Sequence, residues 1–320
     1  MKKYALALIA ASSASVFAAN SVTLYGVADA WAGQTKTAGQ AVSQNKIQSG
    51  GLSASRLGIN VKEDLGDGLS AFAVYEAGVA VDTGTSNGPR KSVVGLSGGF
   101  GMVTLGFETT PYEDFYTKTF LTMDSAFDGI KLAHGKVDKH DARLKNGVRY
   151  NSPSMGGFSA SAQIGLGEDK DGARAQRDTS LGLRYAQGPL ALGLAYQNDE
   201  KKVVNLAPTK VDNTMIAGSY DFGLAKLNLG YNFSKRTGSA DKEKSLNVGV
   251  AVPLGTVTVL AQVGRAKLDN NANAWNAYGV EARYAMSKRT TLYAGAAQAK
   301  QKNVANAVDR NIGIGMRHTF

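Results

Sequence analysis

Cysteine is absent from this chain, so neither a disulfide framework nor a thiolate metal site is available to it. Away from the N-terminus no apolar run approaches the roughly 18 residues that a helical membrane span needs, which excludes a helical membrane protein. Proline is scarce at 6 residues, and no Pro/Ser linker or compositional break interrupts residues 20–320, so they read as one domain. The only histidines, His134, His140 and His318, lack metal-ligand spacing. No serine sits in a nucleophile elbow, and with His134 and His140 in one stretch a triad has little support. Glu168–Gly172 lacks the downstream glutamate of a calcium loop, and Gly98–Gly101 is followed by no helical pattern that would make it a phosphate cradle. No catalytic residue, metal or cofactor is expected.

The N-terminus stands apart from the rest. Lys2 and Lys3 precede an apolar run from Tyr4 to Ala19 that ends in small residues, the layout of a secretory signal peptide. Cleavage fits best after Ala18, so residues 1–18 are expected to be removed and 19–320 to form the working domain. Removal leaves 34 basic residues against 26 acidic ones. Those charges are spread along the chain rather than clustered, and an exported protein rarely meets nucleic acid, so no nucleic-acid partner is expected.

What the chain does have is glycine, 38 residues of it, and a period of two. In the last ten residues Ile312, Ile314, Met316, His318 and Phe320 share one face of an extended strand, and Asn311, Gly313, Gly315, Arg317 and Thr319 the other. The same alternation marks Leu227, Leu229, Tyr231 and Phe233, then Leu246, Val248, Val250 and Val252, then Leu181, Leu183 and Tyr185. On the opposite faces lie Lys226, Arg184, Arg149 and Arg56, each of which would cost roughly 2–4 kcal/mol if turned toward lipid at mid-membrane. These must face water.

Short turns at 64–68, 98–101, 152–157, 187–189, 221–223, 253–255 and 286–289 alternate with longer polar stretches at about 35–51, 82–89, 109–142, 168–177, 200–211, 235–244, 268–274 and 302–308. Together they delimit sixteen strands, an even number with both termini on the short-turn side. The fold class is all-β: a sixteen-stranded antiparallel transmembrane barrel with short periplasmic turns and long extracellular loops. A ring that wide cannot fill itself with side chains, so an aqueous lumen follows. The strands near 70, 214 and 292 alternate poorly and resist phasing, which suggests an outer wall partly covered by protein.

Several segments, among them Ser21-Val-Thr-Leu-Tyr-Gly-Val-Ala-Asp29, Ser55-Arg-Leu-Gly-Ile59, Glu63–Gly68, Val94–Gly101, Val148–Pro153 and the Arg317-His-Thr-Phe320 ending, resemble the Gram-negative porin family, especially its beta-proteobacterial branch. The resemblance spans the whole mature chain. It implies a trimer of sixteen-stranded barrels in the outer-membrane lipid, passing small hydrophilic solutes and ions, each pore narrowed by a third extracellular loop folded inward.

The residues mark that loop on their own. Thr109–Ala142 is about twice the length of most of the others, and its Tyr112, Phe115, Tyr116, Phe120, Leu121, Met123 and Phe127 would be poorly used in water. Packed against the inner wall, the loop would present Glu113, Asp114, Asp124 and Asp128 along one side of the opening. Facing them, alternation sends Arg56 and Lys62 inward because Leu57, Ile59 and Val61 take the outer face. Arg143, Lys145 and Arg149 go inward by the same test, with Leu144, Val148 and Tyr150 outside. Phasing on Val94 and Leu96 sends Lys91 inward and leaves Arg90 near the rim, although a bulge could exchange them. Of these, Arg56, Lys91 and Arg143 or Arg149 match the constriction positions that the resemblance implies. The expectation is passive diffusion with a weak preference for anions; the rival reading is a channel selective for one nutrient class. A barrel enzyme lacks the Ser/His or carboxylate constellation it would need, and a structural or adhesive barrel with a plugged lumen is a third reading that single-channel conductance separates from a pore.

Overall fold

The computed structural model describes residues 20–135, 139–167, 177–201, 209–238, 242–269 and 274–320. The expected signal peptide lies outside them. The wall is built from β1 (Ser21–Lys36), β2 (Gln44–Ser49), β3 (Arg56–Gly66), β4 (Leu69–Ala80), β5 (Thr85–Gly98), β6 (Gly101–Thr109), β7 (Arg143–Asn151), β8 (Phe158–Leu166) and β9 (Arg177–Gln187). It continues through β10 (Leu190–Lys201), β11 (Thr209–Asp221), β12 (Lys226–Arg236), β13 (Lys242–Leu254), β14 (Val257–Leu268), β15 (Ala274–Ala285), β16 (Thr290–Gln301) and β17 (Val308–Thr319). Consecutive strands from β3 to β17 pair antiparallel, and β1 meets β17 from Val27↔Thr319 to Lys36↔Arg310. The sheet is therefore closed and has no free edge.

β2 and β3 are two halves of one wall strand. β2 pairs with the Ala30–Thr35 half of β1 and β3 with the Ser21–Val27 half, so the wall has sixteen strands. The break between them is held by the buried Asp29, whose carboxylate accepts from the backbone N–H groups of Gly51 (2.9 Å), Leu52 (2.9 Å) and Ser53 (2.8 Å) and from the Tyr293 hydroxyl. All seven short turns foreseen in the sequence close hairpins. The polar stretch 35–51 contains β2 rather than loop alone.

Alternation builds an inverted protein. Leu57, Ile59, Val61, Leu181, Leu183, Leu192, Leu194, Leu227, Leu229, Leu246 and Val248 stand exposed on the outside, while Asp29, Asn213, Asn232, Ser234, Glu243, Asn247 and Glu281 are buried within. An apolar exterior of this extent is unfavourable in water and favourable in hydrocarbon. At the seam Gly26 and Phe320 exchange backbone hydrogen bonds of 3.0 and 3.1 Å, and the Phe320 ring lies where a Cβ on Gly26 would be.

The interior core lies between the wall and the segment linking β6 to β7. That segment folds inward as α1 (Pro111–Phe115), a π-helical turn (Tyr116–Phe120) and α2 (Gly129–Ala133). Thr110 caps α1 by accepting from the Glu113 N–H at 3.0 Å, and Pro111 opens its first turn. Tyr112, Phe115, Tyr116, Phe120 and Ile130 pack on Ala195, Met215, Ala217, Ala266, Ala277 and Ala299, while Phe127 packs with Trp31, Leu52, Tyr293 and Ala297.

The wall makes room for those rings with glycine. A Cβ on Gly193 would overlap Phe115, one on Gly230 would overlap Phe120, one on Gly249 would overlap Thr122, and one on Gly295 would overlap Phe127. This explains why the strands near 214 and 292 resist phasing: their lumen faces carry Val211, Met215, Tyr293, Ala297 and Ala299 because protein rather than water covers them. The cover seen within the chain is on the inside.

Candidate functional site

α1 touches β8, β9 and β10, the π turn touches β11 and β12, and α2 touches β14, β15 and β16. The loop thus lines half of the interior, and the opening is left between it and β3 to β7. The basic side chains gather on that uncovered wall.

Glu76 of β4 is the hub. Arg56 Nε lies 3.3 Å and Arg90 Nε 2.8 Å from its two carboxylate oxygens, and the Tyr25 hydroxyl donates to it at 3.2 Å. Arg143 Nε donates to the Arg90 carbonyl at 2.8 Å, which brings a third guanidinium to the group. Lys91 Nζ is 3.1 Å from Glu108, which also accepts from Thr104. Four cations, Arg56, Arg90, Lys91 and Arg143, therefore surround two carboxylates.

Arg149 sits at the root of the loop. Its guanidinium donates to Asp114 at 2.6 Å, to the Thr109 carbonyl at 2.7 Å and to Asn151 at 2.9 and 3.1 Å. Burial pushes the Asp114 carboxyl up, but the charges and hydrogen bonds of Arg149 and Lys118 outweigh it and hold the group below the usual aspartate range. On the short-turn side of α1 a recess of about 270 Å³ is lined by Arg149, Arg184, Lys118, Asp114, Ser159 and Ser161, three cations to one acid. Arg184 and Lys226 point inward, exposed, without an ion pair among the described residues.

The loop acids are less bare than the sequence suggests. Asp124 pairs with Lys131 at 2.8 Å. Asp128 is fully buried and caps α2, accepting from the backbone N–H groups of Met123, Asp124 and Lys131 at 3.2 Å each, so it does not line the opening. Glu113 accepts from His140 Nε2 at 2.7 Å. Burial pushes the His140 pKa down, against the hydrogen bond and charge of Glu113, so the ring is neutral near pH 7.

Three of the basic positions also need correction. Lys62 points inward but lies six residues from Arg56, about 20 Å along the strand, outside the cluster. Phasing determines a side, not a depth. Lys145 is exposed without an ion pair among the described residues, because the register shifts opposite Gly106–Glu108, Asn146 takes a positive φ of 49°, and Leu144 turns inward over Gly165. Arg90 is not at the rim: a bulge between Glu76↔Lys91 and Ala77↔Pro89 brings both Arg90 and Lys91 to the lumen. The acids Glu76 and Glu108 were missed altogether. Their signal was available, since Glu76 alternates with the outward Tyr75, but β4 is the strand near 70 that resisted phasing.

A family model described as Gram-negative porin matches residues 5–304. The chain is 30% identical over 355 residues to Outer membrane porin protein 32 of Delftia acidovorans, with all of both chains covered. It is 29% identical over 394 residues to an outer membrane porin protein of Bordetella pertussis, again over the whole of both. Among solved structures, the anion-selective porin from Comamonas acidovorans superposes with a TM-score of 0.85 at 26% identity, covering 94% of this chain and all of that one.

Proposed function

The chain belongs to the Gram-negative porin family and is an outer-membrane channel for passive diffusion, a premise from which we propose that its pore prefers anions and that the arginine group on the uncovered wall sets this preference. The supporting observation is the balance of charge at the opening. Arg56, Arg90, Lys91 and Arg143 outnumber Glu76 and Glu108, while Asp114 and Asp124 on the loop are paired with their own cations. The unpaired Arg184 and Lys226 add to the excess along the lumen. A net positive pore lining concentrates anions and raises the barrier to cations. The structurally similar Comamonas porin is described as anion-selective, which agrees in sign.

Transport of this kind needs no reacting group, and we read the protein as non-enzymatic. A homotrimer, exported through a cleaved leader of residues 1–18, is proposed from family membership. The outward Ala30, Ala32, Ala282 and Ala294 leave an apolar recess beside β1, β16 and β17 that would suit close protein contact. The deciding experiment is the zero-current potential in planar bilayers under a potassium chloride gradient. Wild type should give an anion-selective sign, and R56E/R90E/R143E should reverse it; a cation-selective wild type would overturn the proposal.

A further inference from the structure

The recess of about 270 Å³ on the short-turn side of α1 is built from the inward faces of β7, β8 and β9, with α1 and the π turn as its roof. The register fixes its floor. Asn151 lies opposite Ser161 and Ser161 opposite Gly182, while Ser159 lies opposite Arg184. Directly opposed side chains stand about 5 Å apart, so these positions form one patch. A Cβ on Gly182 would lie 2.9 Å from the Ser161 hydroxyl oxygen, and glycine there leaves that hydroxyl open to the recess. The patch is separate from the arginine group: Asn151 is eight residues along β7 from Arg143, about 25 Å.

Charge in the recess is unbalanced. Arg149, Arg184 and Lys118 bring three cations against the single carboxylate of Asp114, which leaves an excess of two positive charges. Asp114 is already committed, since it accepts from Arg149 at 2.6 Å and from Lys118 at 2.9 Å. Arg184 is exposed on the inner wall and has no ion pair among the described residues. The Lys118 side chain is 72% exposed, so its bond to Asp114 is weak and its ammonium is free to turn toward a bound anion.

A neutral donor is left over as well. Arg149 holds the Asn151 amide by its oxygen at 2.9 and 3.1 Å, which fixes the amide's orientation and leaves Asn151 Nδ2 buried with no hydrogen-bond partner. A buried donor without an acceptor costs free energy, and an anion in the recess supplies one. The donors also converge from different sides: serine hydroxyls from the floor, Asn151 and Arg184 from the flanks, Lys118 from the roof. A planar carboxylate is satisfied by one fork of donors, whereas a phosphate group presents oxygens in several directions and uses them all.

We propose that this recess is a binding subsite for a phosphate group, inorganic or carried on a small phosphomonoester, held by Arg184, Lys118, Asn151, Ser159 and Ser161. Arg149 stays with Asp114 and contributes its charge. The proposal deepens the reading of the protein as an anion-preferring pore and rests on it, adding a place below the loop where one class of anion is retained. A dianion there cancels the local excess of positive charge and gives Asn151 Nδ2 its acceptor.

Isothermal titration calorimetry of the purified protein in neutral detergent tests this, at fixed sodium chloride, with sodium phosphate, glycerol phosphate and sodium succinate as probes. Wild type should bind phosphate at one site per chain and succinate about 10-fold more weakly or less well still. R184Q should weaken phosphate binding by about 10-fold or more, and S159A/S161A by about 10-fold with no change in the charge of the lumen. K226Q removes the same unit of charge from the lumen outside the recess and should keep wild-type phosphate affinity. In planar bilayers, added phosphate should lower the chloride current of wild type and K226Q at lower concentrations than that of R184Q or S159A/S161A. Glycerol phosphate bound as well as inorganic phosphate would assign the recess to phosphomonoesters, and its rejection would assign it to free phosphate. Equal phosphate affinity in wild type, R184Q and S159A/S161A would overturn the proposal, as would succinate bound as tightly as phosphate or K226Q as damaging as R184Q. Failure of the anion-preferring reading itself is seen in the zero-current potential of wild type and not in these affinities, so the two failures are told apart.

Discussion

Arg149 shows what one side chain does in this pore: it ties the root of the inward loop to the wall through Asp114, the Thr109 carbonyl and Asn151. Truncation to alanine leaves the Asp114 carboxylate with Lys118 as its one cation, beside a 3.4 Å hydrogen bond from the Thr109 hydroxyl. Removing one partner of a buried pair costs 3–5 kcal/mol, and the partial exposure of Asp114 reduces that to about 2 kcal/mol. R149A should therefore lower the denaturation midpoint in a heat-modifiability assay and make the open channel noisier. The anchor also has a pH signature. Because the folded Asp114 titrates below its unfolded value of about 3.9, its contribution is complete above that pH and is lost as pH falls through the depressed folded value. Wild-type channel noise should hence be flat from neutral pH down to about 5 and rise below about 4, a rise that R149A should lack. The side on which Arg56, Lys91 and Arg149 stand was legible from alternation alone. The placements of Arg90, Lys145 and Asp128 were not, since two depend on bulges and the third on a helix cap, and neither device leaves a mark in a period of two.

At the level of elements, the loop is seated by space left in the strands. Gly193, Gly230, Gly249 and Gly295 face inward on β10, β12, β13 and β16, and each lies under a side chain of the loop. Substituting Gly230 by valine sets two methyl groups against the Phe120 ring, and overpacking of that kind costs about 1–3 kcal/mol. The ring must leave the wall, so G230V should change single-channel conductance and expose the loop to limited proteolysis, whereas valine at the solvent-facing turn residue Gly99, which has open space around it, should leave conductance unchanged. Unaltered conductance and proteolysis in G230V would show that the loop is held elsewhere. The sixteen strands, seven turns and inward loop could be read from turn residues and alternation, because lipid and water impose opposite demands on successive side chains. β4, β11 and β16 escaped that reading because a third neighbour, the loop itself or the Phe72 ring lying over Gly95, replaces water on the inner face. A pattern with two solvents in mind cannot see it.

For the whole molecule the remaining issue is how fixed charge acts on solutes that never bind it for long. The excess of Arg56, Arg90, Lys91 and Arg143 over Glu76 and Glu108 works through a field, and a field is screened: its reach falls from about 10 Å in 0.1 M salt to about 3 Å in 1 M. A lumen held open by sixteen strands is wide enough for that change to matter, since an ion on the axis lies beyond the shorter length from most of the wall. Anion preference, taken from zero-current potentials at a constant concentration ratio, should therefore decline steadily as mean ionic strength rises from about 0.1 to about 1 M. It should decline in parallel for R184Q/K226Q from a lower starting value, because those two cations act by the same screened route. A preference that held its value across the range would point to anions bound in direct contact with the arginine group, where screening has no room to act. R56Q and R90Q would then abolish selectivity singly, whereas a field shared among several cations predicts that each reduces it only in part.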